Sequence, residues 1–118
     1  MKTSLTHVRA NVRDLQKAIE WYESKLGFEC TGADINERWQ YADFVCGEGA
    51  VFAIMVDEKV PSAARFNFDV ADVDTLWEKL KNSVTIIQPI ETMPYGTRKF
   101  TITDLDGNEL GFVQQPKR

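Results

Sequence analysis

The sequence has no apolar run of membrane-spanning length and no cluster of lysines and arginines. The first absence argues against a membrane partner. The second argues against a nucleic-acid partner, because affinity for a phosphate backbone comes mainly from clustered cations. A net charge of −4 points the same way. The opening residues, MKTSLTHVRANV, lack the apolar core of a signal peptide, and no Asn-x-Ser/Thr acceptor is present. The cytoplasm is therefore the expected location. Cysteine is scarce: Cys30 and Cys46 lie in separate strand-like segments and form no close-spaced pair. Buried free thiols are expected in that compartment, with a disulfide as the alternative. The basic end, Lys117-Arg118, reads as a solvated tail.

What is present describes an ordinary globular chain. With 118 residues, 43% hydrophobic and 27% charged, residues 1–118 read as a single domain. A chain of this size buries about two-thirds of the surface its unfolded form exposes, so it needs no covalent staples.

Two amphipathic helices stand out. In DLQKAIEWYESKLG, Leu15, Ala18, Ile19, Tyr22 and Leu26 share a face, Asp14 is placed to cap and Gly27 to end the helix. In DVDTLWEKLKN, Val73, Leu76, Trp77 and Leu80 share a face, with Asp72 as cap and Asn82 near the end. Asp14 and Asp72, Leu15 and Val73, Ile19 and Trp77, Tyr22 and Leu80 are each 58 residues apart. Each helix follows a short strand ending in Val-x-Asp (LTHVRANVRD) or its counterpart (ARFNFDVAD), which pairs His7 with Arg65. Strand-like segments follow each helix: 28–35, 38–46 and 51–56, then 84–90, 97–103 and 109–115. Each half reads βαβββ, with residues 1–57 and 64–118 as modules and DEKVPSA as linker. An internal duplication of this length indicates two modules of one architecture.

The expected fold class is α+β: two βαβββ modules forming a cupped, eight-stranded mixed sheet with the helices on its outer face. Alternation assigns the faces. Val8, Ala10 and Val12 oppose His7, Arg9 and Asn11. Phe66, Phe68 and Val70 oppose Arg65, Asn67 and Asp69. Leu110 and Phe112 oppose Glu109, Gly111 and Val113. The polar sets either share a ligand pocket or face bulk water on an open sheet.

Two stretches carry a resemblance across essentially the whole chain. THVRANVRDLQKAIEWYESKLGFE resembles the opening, and YGTRKFTITDLDGNELGFVQ the closing signature, of the vicinal-oxygen-chelate superfamily. That group holds glyoxalase I, extradiol dioxygenases, fosfomycin-resistance enzymes and bleomycin-resistance proteins. The resemblance implies paired βαβββ modules, a homodimer, and a divalent metal in the cup. The ligands it implies are His or Gln on the first strand, His opening the second module, and Glu on the last strand of a module. His7 matches the first position. Arg65 stands at the second and cannot ligate. Gly111, seven residues after Asp104, stands at the third, and VFAIMV offers nothing stronger than Met55 for the fourth. Glu109 has the parity of residue 111 but lies about 6.5–7 Å along the strand, against metal–oxygen bonds of roughly 2.0–2.2 Å. No metal and no other cofactor is expected.

The expected ligand-binding set is His7, Arg9, Asn11, Trp39, Tyr41, Arg65, Asn67, Tyr95, Arg98 and Glu109. Arg65 could hold a carboxylate or phosphate bidentately, or pair with Glu109 or Asp69. Trp39 and Tyr41 could stack on an aromatic ligand, or pack in a core or dimer. Tyr95 could be a rim residue and Arg98 a structural ion-pair partner. His7 is the best candidate for a general base, but no nucleophile has an evident partner. The leading expectation is a metal-free, dimeric protein that binds a small polar or aromatic molecule and could sequester it. The alternatives are a glyoxalase-like lyase/isomerase or dioxygenase with a rearranged site, and an interaction module with no small-molecule ligand.

Overall fold

A computed structural model describes residues 2–45 and 47–116. The chain runs β1 (His7–Val12), α1 (Leu15–Trp21), β2 (Glu29–Ile35), β3 (Gln40–Val45), β4 (Val51–Val56), β5 (Arg65–Asp69), α2 (Val73–Leu80), β6 (Thr85–Thr92), β7 (Arg98–Thr103) and β8 (Glu109–Gln114). This is the expected α+β class with two βαβββ modules. The strands hydrogen-bond as two four-stranded mixed sheets, ordered β1-β4-β3-β2 and β5-β8-β7-β6. They belong to two compact units, Met1–Ser62 and Ala63–Arg118.

Both helices begin where an aspartate satisfies their first free amides. Asp14 Oδ1 accepts from Lys17 N at 3.0 Å. Asp72 accepts from Thr75 N at 3.1 Å and from Thr75 Oγ1 at 2.7 Å. The Gln114 side chain accepts from Val73 N at 2.8 Å, fastening α2 to β8. The first helix differs from a regular amphipathic one. After Trp21 it widens into a turn of π-helix, Tyr22–Leu26, before Gly27 ends it at φ 70°. Trp21 and Tyr22, adjacent in sequence, are consequently both buried, whereas Leu26 is only half-buried.

The 58-residue offset extends to pairing register. His7 opposes Val51 as Arg65 opposes Glu109, and Tyr41 opposes Met55 as Lys99 opposes Val113. Only the ladders of β2 and β6 depart from it. β2 is bulged between Cys30 and Gly32, and β6 shifts register between Ile86 and Gln88 and again between Gln88 and Glu91. β3 begins at Gln40 rather than near Arg38, because the Asn36 side chain accepts from the amides of Arg38 (2.8 Å) and Trp39 (3.1 Å) and closes a turn there.

Each core lies between a helix and the alternate residues of its sheet. In the first unit, Tyr22 is fully buried, with ring centroids 5.3 Å from Phe44, 5.3 Å from Phe52 and 6.0 Å from Phe28. In the second, Phe112 lies 5.5 Å from Phe68 and 5.3 Å from Phe100, and Phe100 meets Trp77 at 5.3 Å. Cys30 is a free thiol, half-buried at the bulge rather than buried, and its Sγ is 3.7 Å from Gly32 O. Cys46 and Lys117-Arg118 lie outside the described residues. No helix among the described residues is long and apolar enough to cross a membrane.

Candidate functional site

Strand alternation leaves each sheet one face without a helix, and the polar residues singled out in β1, β5 and β8 lie there. On the first unit's face, His7 opposes Val51, Arg9 opposes Ala53 and Asn11 opposes Met55. β3 continues two of these rows with Asp43 beside Ala53 and Tyr41 beside Met55, and β2 adds Asp34 beside Tyr41. The side chains are tied together locally. The Tyr41 hydroxyl donates to Asp43 Oδ1 at 2.5 Å, and Trp39 Nε1 to Asp34 Oδ2 at 2.9 Å. Trp39 reaches this face from just before β3. Arg9 Nη1 lies 3.0 Å from Met55 Sδ, and Asn11 Nδ2 donates to Lys59 O at 3.0 Å. His7 Nδ1 is 3.1 Å from Thr6 Oγ1. Partial burial, then the Asp43 hydrogen bond and charge, push the Tyr41 hydroxyl up to about 12, with Arg9 opposing.

The second unit's face is built on the same register. Arg65 opposes Glu109, Asn67 opposes Gly111 and Asp69 opposes Val113. Arg65 reaches Glu109 Oε1 through Nε at 3.1 Å and Nη2 at 2.5 Å, the ion pair foreseen as its alternative role. Gly111 is buried, and a Cβ there would collide with Asn67 Oδ1 and lie 3.8 Å from Thr101 Oγ1. Asn67 thus occupies the space above Gly111. The turn before β8 is closed by its own residues: Asp104 Oδ1 accepts from Asp106 N (2.8 Å) and Asn108 N (3.0 Å), while Asn108 Nδ2 donates to Asp104 Oδ2 at 2.9 Å.

Arg98 stands apart from these rows. It shares the parity of Phe100, so it lies on the helix-bearing face. There its guanidinium grips Asp74, in the first turn of α2, at 2.8–3.1 Å and donates to Thr92 Oγ1 at 3.0 Å. The Asp74 hydrogen bonds hold its pKa above the ordinary value. Tyr95 projects from the β6–β7 turn and is 68% exposed. Two carboxylates of the first face, Asp34 and Asp43, were missed in the sequence, although Asp43 has the parity of Tyr41.

The donors present do not fit the metal that the resemblance implies. Among the described residues, neither unit gathers three or more His, Cys, Asp or Glu side chains that could hold an ion. Gly111 supplies no ligand, Asn67 fills its space, and the nearest carboxylate on its strand, Glu109, is engaged by Arg65. The counterpart of Gly111 in the first unit, 58 residues earlier, is Ala53, which is fully buried and equally without a donor.

Solved structures of the same fold are numerous. A member of the glyoxalase/bleomycin resistance protein/dioxygenase superfamily from Sphaerobacter thermophilus DSM 20745 superposes with a TM-score of 0.83 at 24% identity, covering 97% of this chain and 98% of that one. TnmS3, an antibiotic binding protein from Streptomyces sp. CB03234, gives a TM-score of 0.77 at 21% identity over 97% of each chain. A glyoxalase I mutant from Zea mays gives a TM-score of 0.80 at 19% identity, over 97% of this chain and 45% of that longer one. At these identities the likeness is one of fold. No curated protein matches the chain. The profile of the Glyoxalase/Bleomycin resistance protein/Dioxygenase superfamily, however, matches residues 4–112. Together with the duplicated βαβββ architecture and its register, that match establishes that the chain belongs to this superfamily.

Proposed function

We propose that the protein binds and sequesters a small polar or aromatic molecule on its helix-free sheet faces, without a metal, as a cytoplasmic homodimer. The observation that carries this reading is the second unit's face. The residue where a metal carboxylate is expected is Gly111, roofed by Asn67, and Glu109 is committed to Arg65. A glyoxalase-like lyase/isomerase or dioxygenase would need those groups free for an ion. The hydrogen-bonded aromatic residues of the first face, Trp39 and Tyr41, favour a planar ligand. On the first unit His7, Arg9 and Asn11 supply polar contacts; on the second Asn67 and the Arg65–Glu109 pair do, with Tyr95 exposed on the β6–β7 turn. TnmS3 is a precedent for a binding role on this scaffold.

Calorimetric titration with Ni, Zn, Mn and Fe(II), alongside elemental analysis of the purified protein, tests the reading directly. The expected result is no stoichiometric site tighter than micromolar. A thermal-shift screen of metabolites, with mass spectrometry of co-purified molecules, is expected to give at least one hit, and sedimentation a species of twice the chain mass. Tight stoichiometric metal binding would instead support the enzyme reading. A screen without any hit would support an interaction module.

A further inference from the structure

Three arginines on the strands are partnered in different ways. Arg65 meets Glu109, and Arg98 meets Asp74 and Thr92. Arg9 meets only a thioether: its Nη1 lies 3.0 Å from Met55 Sδ, and no carboxylate pairs with it among the described residues. A thioether is a weak acceptor, whereas a guanidinium presents five N–H donors in a planar fork. The carboxylates of the same face already accept hydrogen bonds, Asp43 from Tyr41 and Asp34 from Trp39. Charged donor capacity on this face is therefore concentrated in one exposed cation.

Its surroundings narrow the class of ligand. Met55, against which the guanidinium rests, opposes Tyr41 in the register, so the cation and the aromatic ring are neighbours. Opposite Arg9 stands Ala53, which is fully buried, so the guanidinium is the exposed group of that row. The hydrogen bonds of Tyr41 and Trp39 hold both rings before any ligand arrives, which reduces the entropy lost on binding. We infer that Arg9 is the anchor for the anionic end of a planar aromatic acid, its carboxylate received by the guanidinium and its ring laid against Tyr41 and Trp39. Arg9 is then a specificity-determining residue: it selects acids over neutral or cationic molecules of the same shape.

This inference rests on the small-molecule reading above. The test is calorimetry of the full-length protein with 2-naphthoate, 2-naphthamide and 2-naphthylmethylammonium at pH 7.5. 2-Naphthoate is expected to bind at least about 10-fold tighter than the amide, and the ammonium more weakly still. Arg9→Met keeps the aliphatic stem and should abolish the preference. Arg9→Lys, a charge without the fork, should retain part of it. Lys17→Met, on the exposed side of α1, should leave it intact, with circular dichroism confirming that each variant folds. Equal binding of amide and acid, preference for the ammonium, or undiminished discrimination in Arg9→Met would overturn the inference. A hit in the metabolite screen without naphthoate binding overturns this inference alone, whereas no binding in either experiment overturns both readings.

Discussion

In the first unit the large aromatic rings gather around Tyr22, where the helix has widened, and the strands supply Phe44 and Phe52. In the second unit the residues 58 positions later are Leu80, Ile102 and Leu110. There the rings sit instead at Phe68, Phe100 and Phe112, whose counterparts in the first unit are Ala10, Ala42 and Ile54. Bulk removed from one set of inward positions is restored at another, so both cores fill under the same strand pairing. Binary pattern and register hold the architecture, and ring placement is free to vary within it. The helix-free faces diverge as well: one offers rings and a cation resting on sulfur, the other the Arg65–Glu109 ion pair and Asn67 over Gly111.

That contrast can be tested at equivalent positions. Tyr22→Ala empties the centre of the first aromatic cluster and should cost about 4 kcal/mol, while Leu80→Ala should cost about 3 kcal/mol, both read by urea denaturation. A larger loss at Leu80 would show that the second core is the more tightly packed. A smaller effect is expected on the polar faces. Gly111→Ala should cost about 1–3 kcal/mol because its Cβ meets Asn67, whereas Ala53→Gly should cost under about 1 kcal/mol. In a double-mutant cycle, Asn67→Ala should relieve much of the Gly111→Ala penalty. Additive losses would mean that Asn67 does not roof the glycine.

The smallest effect is a pH dependence. Tyr41 is raised in the folded protein, so its proton stabilises the fold fully below pH 10. That contribution is lost as pH rises from about 10 through about 12, and Tyr41→Phe should flatten the decline in stability across this window. Asp43→Asn should bring the Tyr41 titration, followed by NMR of labelled tyrosine, down toward its ordinary value.

Much of this was readable from residues alone. Asp14, Asp72 and Gly27 announced the helix ends because capping chemistry is local. The 58-residue spacing exposed the duplication because both helices repeat the same apolar period. The polar rows of β1, β5 and β8 followed from parity, and the ion-pair alternative for Arg98 fits its parity with Phe100, which directs it to α2. The π-helical turn was not readable, since the spacing of Leu15, Ile19, Tyr22 and Leu26 fits a regular helix equally well. Nor was the contact of Asn67 with Gly111, which depends on a rotamer rather than on strand order.

The bulges of β2 and β6 bear on where another strand could add. Each sheet ends in an outer strand whose unpaired backbone is a template for a strand from another molecule, the first step toward aggregation. β2 slips its register at Cys30 and Gly32, and β6 slips twice around Pro89, which has no N–H to offer a newcomer. An incoming strand would find no continuous ladder along β2 or β6. Strand addition, where it occurs, is therefore directed to the opposite margins, β1 and β5, whose register is unbroken.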